Sequence, residues 1–335
     1  MALGKFMLIA AATVAAAAAL AQGQGSPRPA GGTLPVTWEI SPSGDDADEV
    51  HLSLRHRRRG SESHNSSDYR RADLEGLGAG ADGPVRFRLA REAGTLDCEG
   101  TMRASRGSGD CVFTADAAFA AMLRQRGIGG ADISDQYHLA LQDVGTPLID
   151  ELERQGYARP DVDELVALGI HGADVDYLRG LDAAGYRVGE AEHLVAMRIH
   201  GVTADYIAGL RALGPAYANI PPDKLVAMRI HGVSLDFVRE LAGLGYSGFA
   251  PDELIALRIH GVRPELVREL ASLGYRDVAA ADLTQMAIHG VTPEFIRGMS
   301  EAGYRQLTVD QLVSMKIHGV TPDDARRANA TANRM

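Results

Sequence analysis

At 335 residues the chain has length for roughly two domains, and its 34 Lys and Arg stand against 44 Asp and Glu, a net of −10. The excess is uneven: residues 22–114 hold 12 basic and 14 acidic residues, and residues 115–335 hold 21 and 30, a net of −9. So acidic a C-terminal half lacks the electrostatic footprint of a nucleic-acid binder, and two cysteines with no Cys-x-x-Cys pair argue against a metal-held fold.

Residues 1–21 carry one cation, Lys5, then an alanine-rich apolar run ending in Ala19-Leu20-Ala21. This is the layout of a secretory signal peptide cleaved before Gln22; the competing reading is an anchor that stays uncleaved. The apolar run is short of the about 20 residues that a spanning helix needs. The expected mature chain is therefore exported, periplasmic or extracellular, with no transmembrane helix. Residues 22–34, rich in Gly, Pro and Gln, read as a flexible linker.

Residues 35–114 alternate apolar and polar. Val50, Leu52 and Leu54 interleave with His51, Ser53 and Arg55; Val85, Phe87 and Leu89 interleave with Arg86, Arg88 and Ala90. Period two between polar loops predicts a small antiparallel β domain of about five strands with one wet face. A hairpin centred near Ala104-Ser105, with Ser105 to Asp110 as its Gly/Ser turn, sets Cys98 opposite Cys111. In an oxidising compartment that pair is expected to form a disulfide; two buried thiols or half a metal site are the alternatives. Arg55-His56-Arg57-Arg58-Arg59 is the one basic cluster, either a patch for polyanions or the charged end of a strand entering a solvated loop.

Residues 115–157 read as a connecting helix, with Phe119, Met122 and Leu123 in a stripe, and a degenerate first repeat. From residue 158 to 335 one phrase recurs, marked by His171, His200, His231, His260, His289 and His318 at intervals of 29, 31, 29, 29 and 29 residues. A fixed period of that length predicts stacked repeats. Each unit reads as two short helices. The second opens on Asp174, Thr203, Ser234, Arg263, Thr292 or Thr321, all but the arginine good N-caps, and an acid follows two residues on. Both helices close on glycine followed by an apolar residue, as in His260-Gly261-Val262 and Leu244-Gly245-Tyr246. Gln142 and Asp143 replace His-Gly in the first unit, and Arg326 to Thr331 makes a polar finish, as uncovered ends require. The fold class is thus α+β as separate domains: the β domain, then an α-hairpin solenoid of about six units, of either hand.

The phrase Leu-x-Ala-Met-Arg-Ile-His-Gly-Val-Thr-Pro-Glu-Phe-Ile-Arg, with Leu-Gly-Tyr after it, resembles helical repeats of exported bacterial proteins over roughly residues 142–325. Similar repeats are appended to membrane-embedded zinc peptidases of the β-lactam-sensor kind. The peptidase does not carry over, since the chain has no His-Glu-x-x-His. The resemblance implies a sensing or interaction role and no catalytic residue.

Two rows stand out as candidate sites. The six histidines are either a metal or pH-sensing ladder, or structural caps whose ring N–H bonds the last carbonyls of their helices. Stacked helices lie about 8–10 Å apart, too far for neighbouring histidines to share a zinc that holds each nitrogen at about 2 Å; the cap reading is favoured and no metal is expected. Arg198, Arg229, Arg258 and Lys316, two residues before a histidine, form a row able to grip an extended acidic ligand. A second arginine row pairs along its own helix, Asp236–Arg239, Glu265–Arg268 and Glu294–Arg297. No nucleophile–base arrangement, phosphate loop or cofactor motif appears. The expectation is a non-catalytic scaffold that binds a protein or peptide through its repeat surface, needing no cofactor. The alternatives are a structural or adhesin-like component acting through the β domain, and a pH or metal sensor.

Overall fold

The computed structural model describes residues 32–332, apart from 45, 47, 59–60, 79 and 81. The expected signal peptide, and the lead-in up to residue 31, lie outside the described residues, as does Arg59 of the basic cluster. Six strands follow, one more than expected: β1 (Thr33–Pro42), β2 (Glu49–Arg58), β3 (Ser61–Arg70), β4 (Gly83–Arg91), β5 (Gly94–Arg103) and β6 (Arg106–Ala115). They form one antiparallel sheet in the order β3-β2-β1-β6-β5-β4. Thr33 and Leu34, assigned above to the linker, belong to β1 because they pair with Thr114 and Phe113. The strand that sequence reading missed is β3, whose Ser-Glu-Ser-His-Asn-Ser-Ser-Asp run has no apolar alternation. As an edge strand it is not required to bury a row of side chains.

One sheet face is core. Leu34, Val36, Trp38 and Ile40 of β1, and Val50, Leu52 and Leu54 of β2, are all buried, while their neighbours face out. The Ser105–Asp110 stretch is not a turn. Pairing Cys98 with Cys111 also pairs Arg103 with Arg106, leaving a two-residue turn, Ala104-Ser105, both at positive φ (47° and 64°). That is the turn geometry that suits the twist of a tight hairpin. Cys98 and Cys111 are disulfide-bonded across it, with Cα atoms 4.0 Å apart.

The helical part begins with α1 (Ala117–Gln125) and continues as pairs of short helices joined by tight turns. These are α2 and α3 (Ile133–Leu141, Thr146–Gln155), α4 and α5 (Val162–Ile170, Val175–Ala183), α6 and α7 (Ala191–Ile199, Ala204–Ala212), and α8 and α9 (Pro222–Ile230, Leu235–Gly243). Then come α10 and α11 (Pro251–Ile259, Pro264–Ser272), α12 and α13 (Ala280–Ile288, Pro293–Glu301), and α14 and α15 (Val309–Ile317, Pro322–Ala332). The described residues thus hold seven hairpins where about six units were expected, because the polar finish stays helical to Ala332. First helices (A) stack on first helices and second (B) on second, giving two layers.

Local chemistry sets each boundary. Asp174, Thr203, Ser234 and Thr292 accept from the backbone N–H three residues on, at 2.8–3.2 Å. Arg263 makes no such bond, and its helix starts on Pro264 instead. At the A-helix ends the glycine N–H reaches back three residues and the next N–H five, as in Gly172→Gly169 O (3.0 Å) and Ala173→Leu168 O (2.8 Å). Those two bonds satisfy the last carbonyls with Gly172 left-handed at φ 67°.

The two parts share a continuous core. Tyr137 of α2 is fully buried, edge-on to Phe113 of β6 (5.4 Å) and to His56 of β2 (5.2 Å). The departures of the first repeat are docking features. The Tyr69 hydroxyl donates to Leu141 O at 3.0 Å. Arg91 Nε lies 3.0 Å from the Asp143 carboxylate, an ion pair though not aligned as a hydrogen bond. Glu92, from the β4–β5 turn, accepts from Thr146 N at 2.8 Å and so caps α3 from another element. Gly145 makes room for it, since a side chain there would come within 3.1 Å of the Glu92 carboxylate.

Candidate functional site

Consider first where the structure puts the histidines. All six close an A helix, with φ between −94° and −85°. Their backbone N–H groups bond the helix, but none of the six rings donates to a carbonyl among the described residues, contrary to the ring-capping expectation. Glycine performs that capping through the backbone, and the rings point outward; five of them are exposed and His289 is half-buried.

The arginine row is held inward. Arg198 lies over the ring of Tyr177 (4.7 Å), Arg229 over Tyr206 (4.9 Å), Arg258 over Phe237 (5.1 Å) and Lys316 over Phe295 (5.0 Å). In each case the ring belongs to the B helix of the preceding hairpin. The Nε atoms of Arg229 and Arg258 are buried with no hydrogen-bond partner, as expected of groups held by a π face. Where the ring position holds Leu148 or Leu266, the cation position holds Gly169 or Ala287. Cation and ring are present together four times and absent together twice, so the pair works as a staple between repeats. Changing Phe237→Leu and Arg258→Ala, the residues of the neighbouring unit, is expected to show coupling of about 0.5–1.5 kcal/mol in a double-mutant cycle. Additive losses in urea denaturation would refute the staple.

Tyrosines also stitch repeats together through their hydroxyls. Tyr177 donates to Val202 O (2.8 Å), Tyr206 to Val233 O (2.7 Å), Tyr186 to Ile220 O (2.8 Å) and Tyr275 to Leu307 O (2.7 Å). Burial pushes the Tyr206 and Tyr186 phenols up to about 12. Along the B helices Asp236–Arg239 (3.0 Å) and Glu294–Arg297 (2.7 Å) pair as expected, whereas Glu265 and Arg268 do not.

A buried charge stands at the first B helix. Glu151 is 4 % exposed, bonded by Arg154, by Gln155 Nε2 (2.6 Å) and by Arg179 at 3.5 Å. The Arg154 hydrogen bonds, working against desolvation, hold its carboxyl down to about 2. A value below the usual carboxylate range gives stability that is complete above about pH 4.5 and lost as the pH falls towards 2. Since both arginines are more than half exposed, screening limits this to about 1–2 kcal/mol. Denaturation midpoints measured at pH 3 and pH 5 are expected to differ less for Glu151→Gln than for the native chain; an unchanged difference would contradict this.

What remains on the surface is a third row that sequence reading passed over. Ile170, Ile199, Ile230, Ile259, Ile288 and Ile317 are each 47–57 % exposed. Each is the last residue of its A helix, two positions beyond a leucine or methionine that is buried in every case but the half-buried Met315, and thus about 200° round from the core. A single exposed isoleucine is unremarkable on a protein surface; the same one in six consecutive hairpins makes an apolar row, a ridge with a histidine next to each member in sequence. The B face instead carries the Asp–Arg and Glu–Arg pairs.

Elsewhere, a shallow cleft of about 650 Å³ lies on the outer sheet face over Arg86, Arg88, Asp97, Glu99 and Val112. Its charges are largely spent on each other, Arg88–Asp97 at 2.6 Å and Arg86–Glu99 at 3.7 Å. Glu190, Glu192 and His193 form a small exposed cluster at the start of α6. No described helix is long and apolar enough to cross a membrane. No family model matches the chain, and no curated protein matches its sequence.

Proposed function

We propose that the protein is an exported, non-catalytic scaffold that recognises a protein or peptide partner through the A-helix face of its repeats. The observation that carries this is the isoleucine ridge, six half-exposed side chains in equivalent places. Full burial of an isoleucine is worth about 1.5–3 kcal/mol, so a partner covering several half-exposed ones gains a substantial free energy. A folded chain gains nothing by leaving them open. Solenoids present extended binding surfaces along their stacked repeats, and the ridge runs along one such layer. The arginine row supports the scaffold more than the ligand, because its members are committed to rings of the preceding hairpin.

The test uses the full chain and two variants. Ile199→Gln, Ile230→Gln and Ile259→Gln together should leave the melting temperature near that of the native chain while abolishing capture of the partner from extracts of the source cells. Arg86→Gln with Arg88→Gln, on the outer sheet face, should leave capture intact. The reverse pattern would transfer the function to the β domain.

A further inference from the structure

We infer that the ligand of the A face is a basic amphipathic helix, an inference that rests on the binding role proposed above. Seven residues before the isoleucine, two turns back on the same side of the A helix, stand Asp163, Glu192, Asp223, Asp252 and Asp310, all exposed; Ala281 takes the place in α12. Between acid and isoleucine lie small or half-buried apolar residues, Val195 and Ala196 in α6, Val226 and Ala227 in α8. Five of these six A helices thus present an acid, a shallow and mostly apolar step and an isoleucine, and no Lys or Arg stands in that stripe.

Nearby cations neutralise only part of it. Lys224 bonds Asp252 and His193 lies 3.6 Å from Asp223, but Asp163, Glu192 and Asp310 have no ion-pair partner among the described residues. The Arg198 row is turned back onto the rings. Desolvating these acids under a neutral or acidic partner would be costly, whereas lysine or arginine on one flank of the ligand would meet them.

Spacing favours a helix as the ligand. Packed helices lie about 8–10 Å apart, and residues i and i+7 of a helix return to the same side about 10.5 Å on. A ligand helix laid across the stack can therefore seat one apolar side chain per repeat while its basic flank tracks the acid row. About 20 residues, some 30 Å long, would span three or four repeats.

The experiment titrates the full chain into three labelled 21-residue peptides and follows anisotropy. One is a Leu/Lys amphipathic helix, one a Leu/Glu helix of the same pattern, and one the Leu/Lys composition scrambled. The Leu/Lys helix should bind at least tenfold more tightly than either other peptide. Its affinity should fall at least tenfold both in the isoleucine triple variant and in Asp163→Asn with Glu192→Gln and Asp310→Asn. Equal binding of the Leu/Glu helix, or Leu/Lys binding indifferent to the isoleucines, overturns the inference. If a partner crosslinked at Ile230 contacts the ridge through an acidic or uncharged segment, the face is a binding surface and only the basic class is wrong. If no crosslink forms and no peptide binds, the binding role falls with it.

Discussion

Trp38→Ala is expected to lower stability by about 3–5 kcal/mol, the range for deleting a buried aromatic side chain. Trp38 sits at the centre of β1, 1 % exposed, edge-on to Phe87 at 5.0 Å, with its indole N–H donating to Glu99 O at 3.0 Å. It lies on a flat patch that the sequence prepares with two glycines paired across β5 and β6. A side chain on Gly100 or Gly109 would come within 2.6 Å or 2.8 Å of the indole. Because that floor is strand backbone held by ladder hydrogen bonds, it cannot collapse into the space left by the indole. The cavity cost therefore adds to the lost transfer energy. Guanidinium denaturation followed by circular dichroism measures the loss; one below about 1 kcal/mol would mean that the sheet core does not depend on this ring. As the only tryptophan, it also reports unfolding of the β domain alone in the native chain.

Tyr137→Ala should cost a similar amount and, in addition, separate two transitions that are otherwise joined. Tyr137 is the side chain through which α2 enters the sheet core, touching Phe113 and His56. Without it the β domain should melt before the repeats, visible as tryptophan fluorescence changing ahead of helical ellipticity. Its hydroxyl is buried with no hydrogen-bond partner among the described residues, and desolvation raises its pKa well above the ordinary value. Tyr137→Phe is therefore expected to be neutral or stabilising by up to about 1 kcal/mol, since it removes an unpaired buried polar atom. If Phe proved as damaging as Ala, the coupling would lie in the hydroxyl rather than in packing.

The same junction shows why some of the fold was legible in the sequence and some was not. Helix ends were readable because each is fixed by neighbours within five residues: Thr292 caps Phe295 N, and Gly172 lets Ala173 N reach Leu168 O. Cys98 and Cys111 were readable because one tight turn sets their register. Gln142 and Asp143 looked like decay of the repeat, although Asp143 pairs with Arg91 of a strand more than 50 residues away. Likewise the Arg258–Phe237 staple joins residues 21 apart, beyond the reach of helical periodicity. The isoleucine ridge escaped for another reason. Within one helix Ile259 looks as apolar as Leu257, and only two-layer stacking decides that Leu257 is buried while Ile259 stays 54 % exposed.

The binding role is tested most directly by photocrosslinking from single positions on opposite faces of the native array. A photoreactive residue at Ile230, on the A face, should yield a discrete partner adduct in the source cells, and one at Arg239, on the B face, should yield none. Adducts from Arg239 with none from Ile230 would contradict the assignment of the A-helix face as the binding surface.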